Sequence, residues 1–260
     1  MNDLNFIEEY KKFANILADE SENIIMQYFR QNFQIEKKDD KSPVTIADKN
    51  SELRIRELIK KEYPNHGVIG EEFENINSDS DFLWVIDPID GTKSFVSGHK
   101  DFGTLIALLF KNKPIIGIIN CPAHNERWIG VKNQKTTMND KIIYTSSKKS
   151  ISECYAYSSG LYQENNKFKN LCDKVFNKVK NYRLGGDCYA YGMLASGLID
   201  IVLEDTLKIW DYMALIPVIE GAGGVVSDIS GKSLNLNSDG SFIAASSKEI
   251  STQVLQIANL

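Results

Sequence analysis

Hydrophobic residues recur every three or four positions at the start of the chain. Over about residues 4–33 they include Phe6, Ile7, Tyr10, Phe13, Ile16, Leu17, Ile24, Ile25, Tyr28 and Phe29. This spacing matches the α-helical period, so it predicts a long helix with one apolar face. A second helix is predicted over residues 47–62 and is ended by Pro64. Between the two helices, residues 36–42 hold a run of charged side chains, which predicts an exposed loop or hairpin.

Short apolar runs follow and predict β-strands. They cover residues 67–69, 82–86, 104–110, 114–120 and 126–131. The sequence Lys111-Asn112-Lys113-Pro114 is typical of a turn, so the strands on either side of it are expected to pair as an antiparallel hairpin.

After about residue 150 the pattern changes to an alternation of strands and helices. Strands are predicted at residues 154–158, 182–184 and 199–204, and helices at 166–178, 189–196 and 212–222. Such alternation is typical of an α/β arrangement. We therefore expect two halves, residues 1–148 with an antiparallel sheet and residues 149–260 with α/β character, packed as one unit.

Composition and charge exclude several classes of protein. The 260 residues are 42% hydrophobic and 25% charged, with a net charge of −5 and no cluster of basic residues, which argues against a nucleic-acid partner. No apolar run approaches the ~20 residues needed to cross a bilayer, and the N-terminus lacks the apolar core of a signal peptide. Four scattered cysteines without metal-ligand spacing predict reduced thiols in a cytoplasmic protein. They are Cys121, Cys154, Cys172 and Cys188.

Two aspartates follow the apolar strand at residues 82–86, in the sequence Asp87-Pro88-Ile89-Asp90-Gly91-Thr92. Proline fixes φ, so the chain is expected to turn sharply and direct both carboxylates into one pocket. Carboxylates this close repel each other unless a cation lies between them, and Mg²⁺ prefers oxygen ligands. An acidic surface turn is the simpler alternative.

Three further acids stand at comparable positions. Glu71 follows the short strand at residues 67–69, whereas Asp48 and Asp211 stand where helices begin. Helix capping alone would explain Asp48 and Asp211. Taken together with Asp87 and Asp90, the acids predict one metal-binding pocket.

Four motifs in order resemble the inositol monophosphatase superfamily of metal-dependent, lithium-sensitive phosphatases. They are VTIAD at residues 44–48, GEE at 70–72, WVIDPIDGTKSF at 84–95 and WDYMALIPVIEGAGG at 210–224. The resemblance extends over essentially the whole chain. It implies an α/β (α+β) fold layered as an αβαβα sandwich, and a homodimeric enzyme that hydrolyses a small-molecule phosphate monoester with two or three Mg²⁺ ions per site.

The resemblance also implies a metal-binding role for matching residues. Glu71, Asp87 and the carbonyl of Ile89 would hold one metal ion. Asp87, Asp90 and Asp211 would hold the second, with Glu71 also near a possible third. On this basis most metal ligands belong to the first half of the chain, and Asp211 belongs to the second.

Catalytic and phosphate-binding roles are implied in the same way. Asp48 and Thr92 would position or deprotonate the attacking water, close to Glu71. The amides of Gly91 and Thr92 would bind phosphate oxygens. Two metal ions can activate a water molecule and stabilise the leaving oxygen, so no serine or cysteine nucleophile is required.

Within the superfamily, residues 92–98, 103–109, 126–130, 185–197 and 217–224 most resemble the histidinol-phosphatase branch. That branch removes phosphate from L-histidinol phosphate in histidine biosynthesis. The residues expected at the substrate are Gly91, Thr92, Gly185, Gly186, Asp187, Glu204 and Asp211.

The acids Asp187 and Glu204 suit a substrate that carries an amine and an imidazole, because an uncharged polyol would leave both carboxylates unpaired. A plain N-cap is the alternative for Asp187, and a strand-end acid for Glu204. Ile209-Trp210 departs from the pattern of this branch, and tryptophan there is common in the inositol enzymes. An inositol-1-monophosphatase or broad sugar phosphatase is therefore the second hypothesis, and a non-catalytic phosphate or metal sensor the third.

Overall fold

The computed structural model describes residues 3–31, 35–37, 43–160 and 166–258. Helix α1 (Asp3–Tyr28) confirms the first predicted helix, which ends before residue 33. The charged positions 38–41 and position 33 itself lie outside the described residues. A short antiparallel pair, β1 (Ile35–Lys37) and β2 (Pro43–Thr45), precedes α2 (Ile46–Glu62). Helix α2 begins one residue before the predicted start.

Seven strands form the first sheet, in which each strand lies beside its neighbours in sequence. They are β3 (Gly67–Gly70), β4 (Phe82–Asp90), β5 (Gly103–Phe110), β6 (Lys113–Cys121), β7 (Glu126–Val131), β8 (Thr137–Met138) and β9 (Lys141–Ile142). All pairs are antiparallel except β3 with β4, which is parallel. The predicted hairpin is β5 and β6, and β7 has the predicted bounds. Helix α3 (Thr92–Ser97) connects β4 to β5.

The second sheet has the strand order β11-β10-β12-β14-β13. Its strands are β10 (Tyr155–Ser158), β11 (Asn181–Leu184), β12 (Ile201–Glu204), β13 (Val225–Ser227) and β14 (Phe242–Ala245). The helices of this part are α4 (Asn166–Phe176), α5 (Asp187–Ala195), α6 (Ile209–Tyr212), α7 (Leu215–Ala222) and α8 (Lys248–Ala258). The single helix predicted over residues 212–222 is wrong, because the chain forms α6 and α7 there. No element was predicted after residue 222, where β13, β14 and α8 lie.

Three hydrophobic clusters define the layers. Helices α1 and α2 pack on one face of the seven-stranded sheet through residues such as Leu17 and Ile55. Helices α5 and α7 lie between the sheets, where Leu194 and Val218 share a cluster with residues of both. Helices α4 and α8 cover the far face of the five-stranded sheet. The predicted αβαβα sandwich is therefore confirmed. Within the described part of the chain, no helix is long and apolar enough to cross a membrane.

Two glycines let α7 lie directly on the first sheet. Gly117 of β6 and Gly130 of β7 are cross-strand partners. A Cβ atom at Gly117 would overlap the carbonyl oxygen of Ala214, and one at Gly130 would overlap that of Pro217. Close contact at this pair fixes α7, and with it the preceding α6, against the sheet.

Candidate metal centre and active site

Strand β4 does not end where the sequence predicted a sharp turn. It continues through Pro88 to Asp90, and its register against β5 shifts between Asp87 and Asp90. Asp87 lies opposite Leu105 and Asp90 opposite Gly103, so β4 has one extra residue there. In a regular strand, residues three apart point to opposite faces. The bulge offsets this alternation, so that Asp87 and Asp90 can face the same cavity.

The bulge brings the two aspartates together with Asp211. One carboxylate oxygen from each of the three residues lies within 4.8 Å of the others. Asp211 is the third residue of α6, and its Oδ2 accepts a hydrogen bond of 2.7 Å from the amide of Lys208. It therefore caps α6, rather than the helix predicted from residue 212, and also lies in the cluster.

Glu71 reaches the same place from the neighbouring strand. Gly70 pairs with Ile86 in the parallel β3–β4 pair, so Glu71 follows β3 beside the position of Asp87 in β4. The negative charge of Glu71 is the largest electrostatic contribution, after burial, to the raised pKa of Asp87. Four predicted acids thus converge from three segments of the chain.

Burial and mutual repulsion make the three aspartates of this cluster, Asp87, Asp90 and Asp211, reluctant to ionise. Burial is the main cause that raises the pKa of Asp87 well above its usual value, and the charges of Glu71, Asp90, Asp211 and Asp48 add to it. Burial also raises the pKa of Asp211 to about 7, against the lowering effect of the Lys208 amide. A cation among the carboxylates would favour the charged forms.

The donor set fits a hard divalent cation. Oδ1 of Asp87 and Oδ1 of Asp48 are buried, and no hydrogen-bond partner for either lies among the described residues. Buried carboxylate oxygens that accept no hydrogen bond are suitable ligands for Mg²⁺. The carbonyl of Ile89 accepts a hydrogen bond of 3.1 Å from Thr92 Oγ1, and a carbonyl oxygen has a second lone pair for a cation.

Asp48 lies close enough to the cluster for its charge to raise the pKa of Asp87. It is completely buried, and its Oδ2 accepts hydrogen bonds from the amide and hydroxyl of Thr45, at 2.9 and 2.5 Å. The capping role is therefore present in the structure. Burial also raises the pKa of Asp48 to about 6. No direct hydrogen bond between Asp48 and Thr92 occurs among the described residues.

A cavity of about 440 Å³ opens above the cluster. The predicted site residues that line it are Glu71, Asp87, Ile89, Asp90, Gly91, Thr92, Asp187, Glu204 and Asp211. Gly185 and Gly186 are not part of this lining as far as the chain is described. The amide of Gly185 donates instead to the carbonyl of Ser158, at 2.9 Å.

Several residues of the cavity wall were not predicted from the sequence. They are Ser159, Asp205, Thr206, Leu207 and Lys208. Lys93 and Trp210, which belong to motifs quoted from the sequence, also line the cavity. Asp205 follows Glu204 directly, so the acidic pair was a signal that could have identified it. Ser159 carries no comparable signal in its local sequence.

Asp187 is held in place by the segment that contains Asp90, Gly91 and Ser94. It has a φ of +40°, and its carboxylate lies against Gly91, where an added Cβ would be 2.9 Å from the Asp187 Cβ. Ser94 Oγ donates a hydrogen bond of 2.5 Å to Asp187 Oδ2. The next amide, that of Cys188, donates to Asp90 Oδ2 at 2.6 Å. The N-cap alternative for Asp187 is wrong, because Gly186 occupies that position in α5.

Glu204 ends β12, lines the same cavity and is buried. Burial, followed by the negative charge of Asp187, raises the pKa of Glu204 to about 8. The Ser159 hydroxyl lowers this pKa through a hydrogen bond. The cavity therefore has a second acidic region, formed by Asp187 and Glu204, beside the cluster.

Known proteins share this arrangement of sequence and fold. The sequence model of the inositol monophosphatase family matches residues 7–259. A bifunctional phosphatase of Arabidopsis thaliana, IMPL2, is 43% identical over 92% of this chain and 70% of its own length. A histidinol-phosphatase of Chlorobaculum parvum is 31% identical over 86% of this chain and 87% of its own. The solved structure of an inositol monophosphatase from Zymomonas mobilis superimposes with a TM-score of 0.89 at 40% identity, covering 97% of this chain and 98% of that one.

Proposed function

The chain belongs to the inositol monophosphatase family of metal-dependent phosphomonoesterases, and we propose that its substrate is L-histidinol phosphate. Hydrolysis would give L-histidinol and phosphate, a reaction of histidine biosynthesis. The cofactor would be Mg²⁺, with two or three ions per site.

The observation that carries this proposal is the acidic region formed by Asp187 and Glu204. Both carboxyls have raised pKa values, chiefly because of burial, and Asp187 raises that of Glu204. Histidinol brings an ammonium group and an imidazole, and such cations would compensate the buried charges. Inositol carries hydroxyl groups but no positive charge.

Of two relatives, one supports the same substrate by its name. One relative is a histidinol-phosphatase at 31% identity, and the other, at 43% identity, is a bifunctional phosphatase. Both align over most of the present chain.

The residues that would hold Mg²⁺ are Glu71, Asp87, Asp90, Asp211 and the carbonyl of Ile89. When bound, Mg²⁺ supplies charge neutralisation for the phosphate and lowers the pKa of water. The fit rests on the convergence of three carboxylates within 4.8 Å and on the unpartnered buried oxygen of Asp87.

The other site residues would bind and orient the substrate. The amides of Gly91 and Thr92 would bind phosphate oxygens at the beginning of α3. The hydroxyl hydrogen of Thr92 is donated to Ile89, which leaves the Thr92 oxygen to accept a hydrogen bond from the attacking water. Asp48 and Glu71 would orient or deprotonate that water. Asp187, Glu204 and Asp211 would contact the alcohol part of the ester.

Phosphate release from a panel of esters tests the substrate. We expect L-histidinol phosphate to be hydrolysed faster than inositol-1-phosphate or glucose-1-phosphate, and EDTA to abolish all three activities. Asp187→Asn should raise KM for histidinol phosphate by about tenfold, because a hydrogen bond to a charged group contributes about 1.5–3 kcal/mol. Asp81→Asn, at an exposed position outside the cavity, is the control. If Asp187→Asn raised KM equally for inositol-1-phosphate and histidinol phosphate, the result would contradict the proposal.

An inositol-1-monophosphatase, or a broad sugar phosphatase, is the second candidate. Trp210 lines the cavity, and the Zymomonas mobilis enzyme at 40% identity is an inositol monophosphatase. This candidate predicts that inositol-1-phosphate has the highest kcat/KM and that Asp187→Asn affects all esters alike.

Further proposals follow from family membership. We expect inhibition by lithium in a titration of activity, and a homodimer by sedimentation. The chain would be divided into halves at about residue 148 and would act in the cytoplasm, although the Arabidopsis thaliana relative is chloroplastic by name. Fractionation of cells tests the location.

A further inference from the structure

A buried pair of opposite charges lies behind the metal centre. Glu52 and Arg56 are one turn apart on α2, and their side chains are 0% and 8% exposed. Arg56 Nε donates to Glu52 Oε1 at 2.7 Å. Neither residue lines the cavity, and neither was singled out in the sequence.

The pair binds the backbone of the segment that follows β3. Glu52 Oε2 accepts a hydrogen bond of 2.8 Å from the amide of Glu72. Arg56 donates to the carbonyls of Phe73 and Glu74, at 3.1 and 3.0 Å. Its guanidinium carbon also lies 5.8 Å from the centre of the Phe73 ring. One side-chain pair thus fixes three consecutive residues, beginning directly after Glu71.

The residue before Glu71 is constrained by the same carboxylate. A Cβ atom at Gly70 would overlap both oxygens of Glu52, so the carboxylate fits only against glycine. Gly70 is in turn fixed to Ile86 by the β3–β4 pairing. Glu71 is therefore flanked on both sides by backbone that contacts Glu52.

Fold stability alone gives little reason for a charged pair at this position. Two ions lose their hydration on burial, and apolar residues of similar size often stabilise a fold equally well. Burial raises the pKa of Glu52, whereas the Glu72 amide and Arg56 favour its charged form. The contacts of the pair are concentrated on the loop that presents Glu71 to the Asp87 cluster.

We propose that Glu52, held by Arg56, is a positioning residue that fixes the Gly70–Glu72 backbone and so aims the Glu71 carboxylate at the bound cation. This inference rests on the proposed role of Glu71 as a metal ligand. Supporting residues of this kind typically change metal affinity by 10–100-fold when they are removed.

The test measures Mg²⁺ binding separately from catalysis. EDTA-treated and dialysed protein is titrated with Mg²⁺ in a calorimeter without substrate, and the Mg²⁺ concentration for half-maximal hydrolysis of p-nitrophenyl phosphate is determined. Glu52→Gln keeps the size of the side chain but replaces one acceptor oxygen with an NH₂ group. We expect about tenfold weaker Mg²⁺ binding and a matching shift in half-maximal Mg²⁺, with activity recovering at saturating Mg²⁺.

Two further variants complete the comparison. Arg56→Lys keeps the charge but not the two-pronged contact with Phe73 and Glu74, so a smaller weakening in the same direction is expected. Arg54, like Glu52 and Arg56, belongs to α2, and Arg54→Gln removes a partly exposed ion pair with Glu20 of α1. This variant should bind Mg²⁺ like the wild type.

Unchanged Mg²⁺ affinity in Glu52→Gln, even with a lower melting temperature, would overturn the inference. If Glu52→Gln does not fold, unchanged Mg²⁺ affinity in Arg56→Lys would overturn the inference instead. Glu71→Gln separates the two proposals. Wild-type Mg²⁺ affinity in Glu71→Gln would reject the ligand assignment and the inference with it, whereas a loss seen in Glu71→Gln but not in Glu52→Gln or Arg56→Lys rejects positioning alone.

Discussion

Asp87 is surrounded by other acids within a buried part of the protein. Burial first, and then Glu71, Asp90, Asp211 and Asp48, raise its pKa. When it is charged, Asp87 destabilises the metal-free fold, so its presence is explained by the ligand that it binds. Shifts in pKa of this kind are concentrated at functional sites.

Replacing Asp87 should separate stability from activity. Asp87→Asn removes one charge from the cluster, so the EDTA-treated variant should melt at a higher temperature than the wild type. Its phosphatase activity should fall more than about 100-fold, because even supporting residues of metal sites matter by 10–100-fold. Calorimetric melting and phosphate release check the two results. Retained activity would show that Asp87 holds no essential cation.

Ser94 controls the second acidic region. Ser94→Ala removes the hydrogen bond to Asp187 and leaves that carboxylate free to rotate. We expect KM for histidinol phosphate to rise by about tenfold with little change in kcat. Ser97→Ala, which removes a hydroxyl bonded only to backbone carbonyls of the same helix in the described structure, serves as the control. Similar increases in KM in Ser94→Ala and Ser97→Ala would contradict a role of the Ser94–Asp187 hydrogen bond in substrate binding.

Sequence reasoning identified the acids of the cavity except Asp205, and it did not identify Ser94. Motifs such as Asp87-Pro88-Ile89-Asp90 are local, and their chemistry is visible in a few adjacent positions. The partner of Ser94 is 93 residues away along the chain. Such a pairing leaves no periodicity or spacing to detect.

At the scale of elements, prediction succeeded where one pattern persisted over many residues. The strand at Glu126–Val131 and the hairpin of β5 and β6 are examples. The extension of β4 through Pro88 was not predicted, because proline normally ends a strand and the bulge depends on pairing with β5. For α8, the spacing of Ile250, Val254 and Ile257 was a signal that was overlooked.

The contact of α7 with the first sheet predicts a sensitive position. Gly130→Ala would place a methyl group in the backbone of Pro217, and overpacking of this kind costs about 1–3 kcal/mol. The melting temperature should fall by roughly 2–10 °C. Ile142→Ala, at an exposed site on the same sheet, should change it little. An unchanged melting temperature for Gly130→Ala would show that α7 can move away without loss.

At the scale of the whole molecule, the site joins both sheets. Glu71, Asp87 and Asp90 follow or belong to strands of the first sheet, whereas Glu204 ends a strand of the second. The layered order of the fold was predicted through the family resemblance, since short-range patterns alone do not specify how two sheets stack. The central layer of α5 and α7 makes the assembly one contiguous core.

The buried carboxyl group of Glu204 predicts how pH affects the stability of the metal-free protein. The pKa of Glu204 is about 8 in the folded chain, against an ordinary value of 4.5. The folded state therefore binds more protons than the unfolded state between these values, so stability falls as pH rises from about 5 to 8. Each pH unit should reduce the free energy of unfolding by about 1 kcal/mol.

Melting of the protein in EDTA at pH 5.5, 6.5 and 7.5 tests this dependence. We expect melting temperatures to decrease with pH, and Glu204→Gln to show a shallower decrease. A melting temperature that rises over this range in EDTA would contradict the assignment.

The Ser94–Asp187 contact joins two stretches of the gene that serve different purposes. The first stretch encodes the acids that would handle phosphate, and the second, around residues 187–205, encodes the wall that would contact the alcohol. Substitutions confined to the second stretch would therefore change which alcohol is accepted and leave the phosphate-binding acids unchanged. Exchanging residues 187–205 between relatives is accordingly a direct way to engineer substrate selectivity, provided that the residues at positions 94 and 187 are exchanged together.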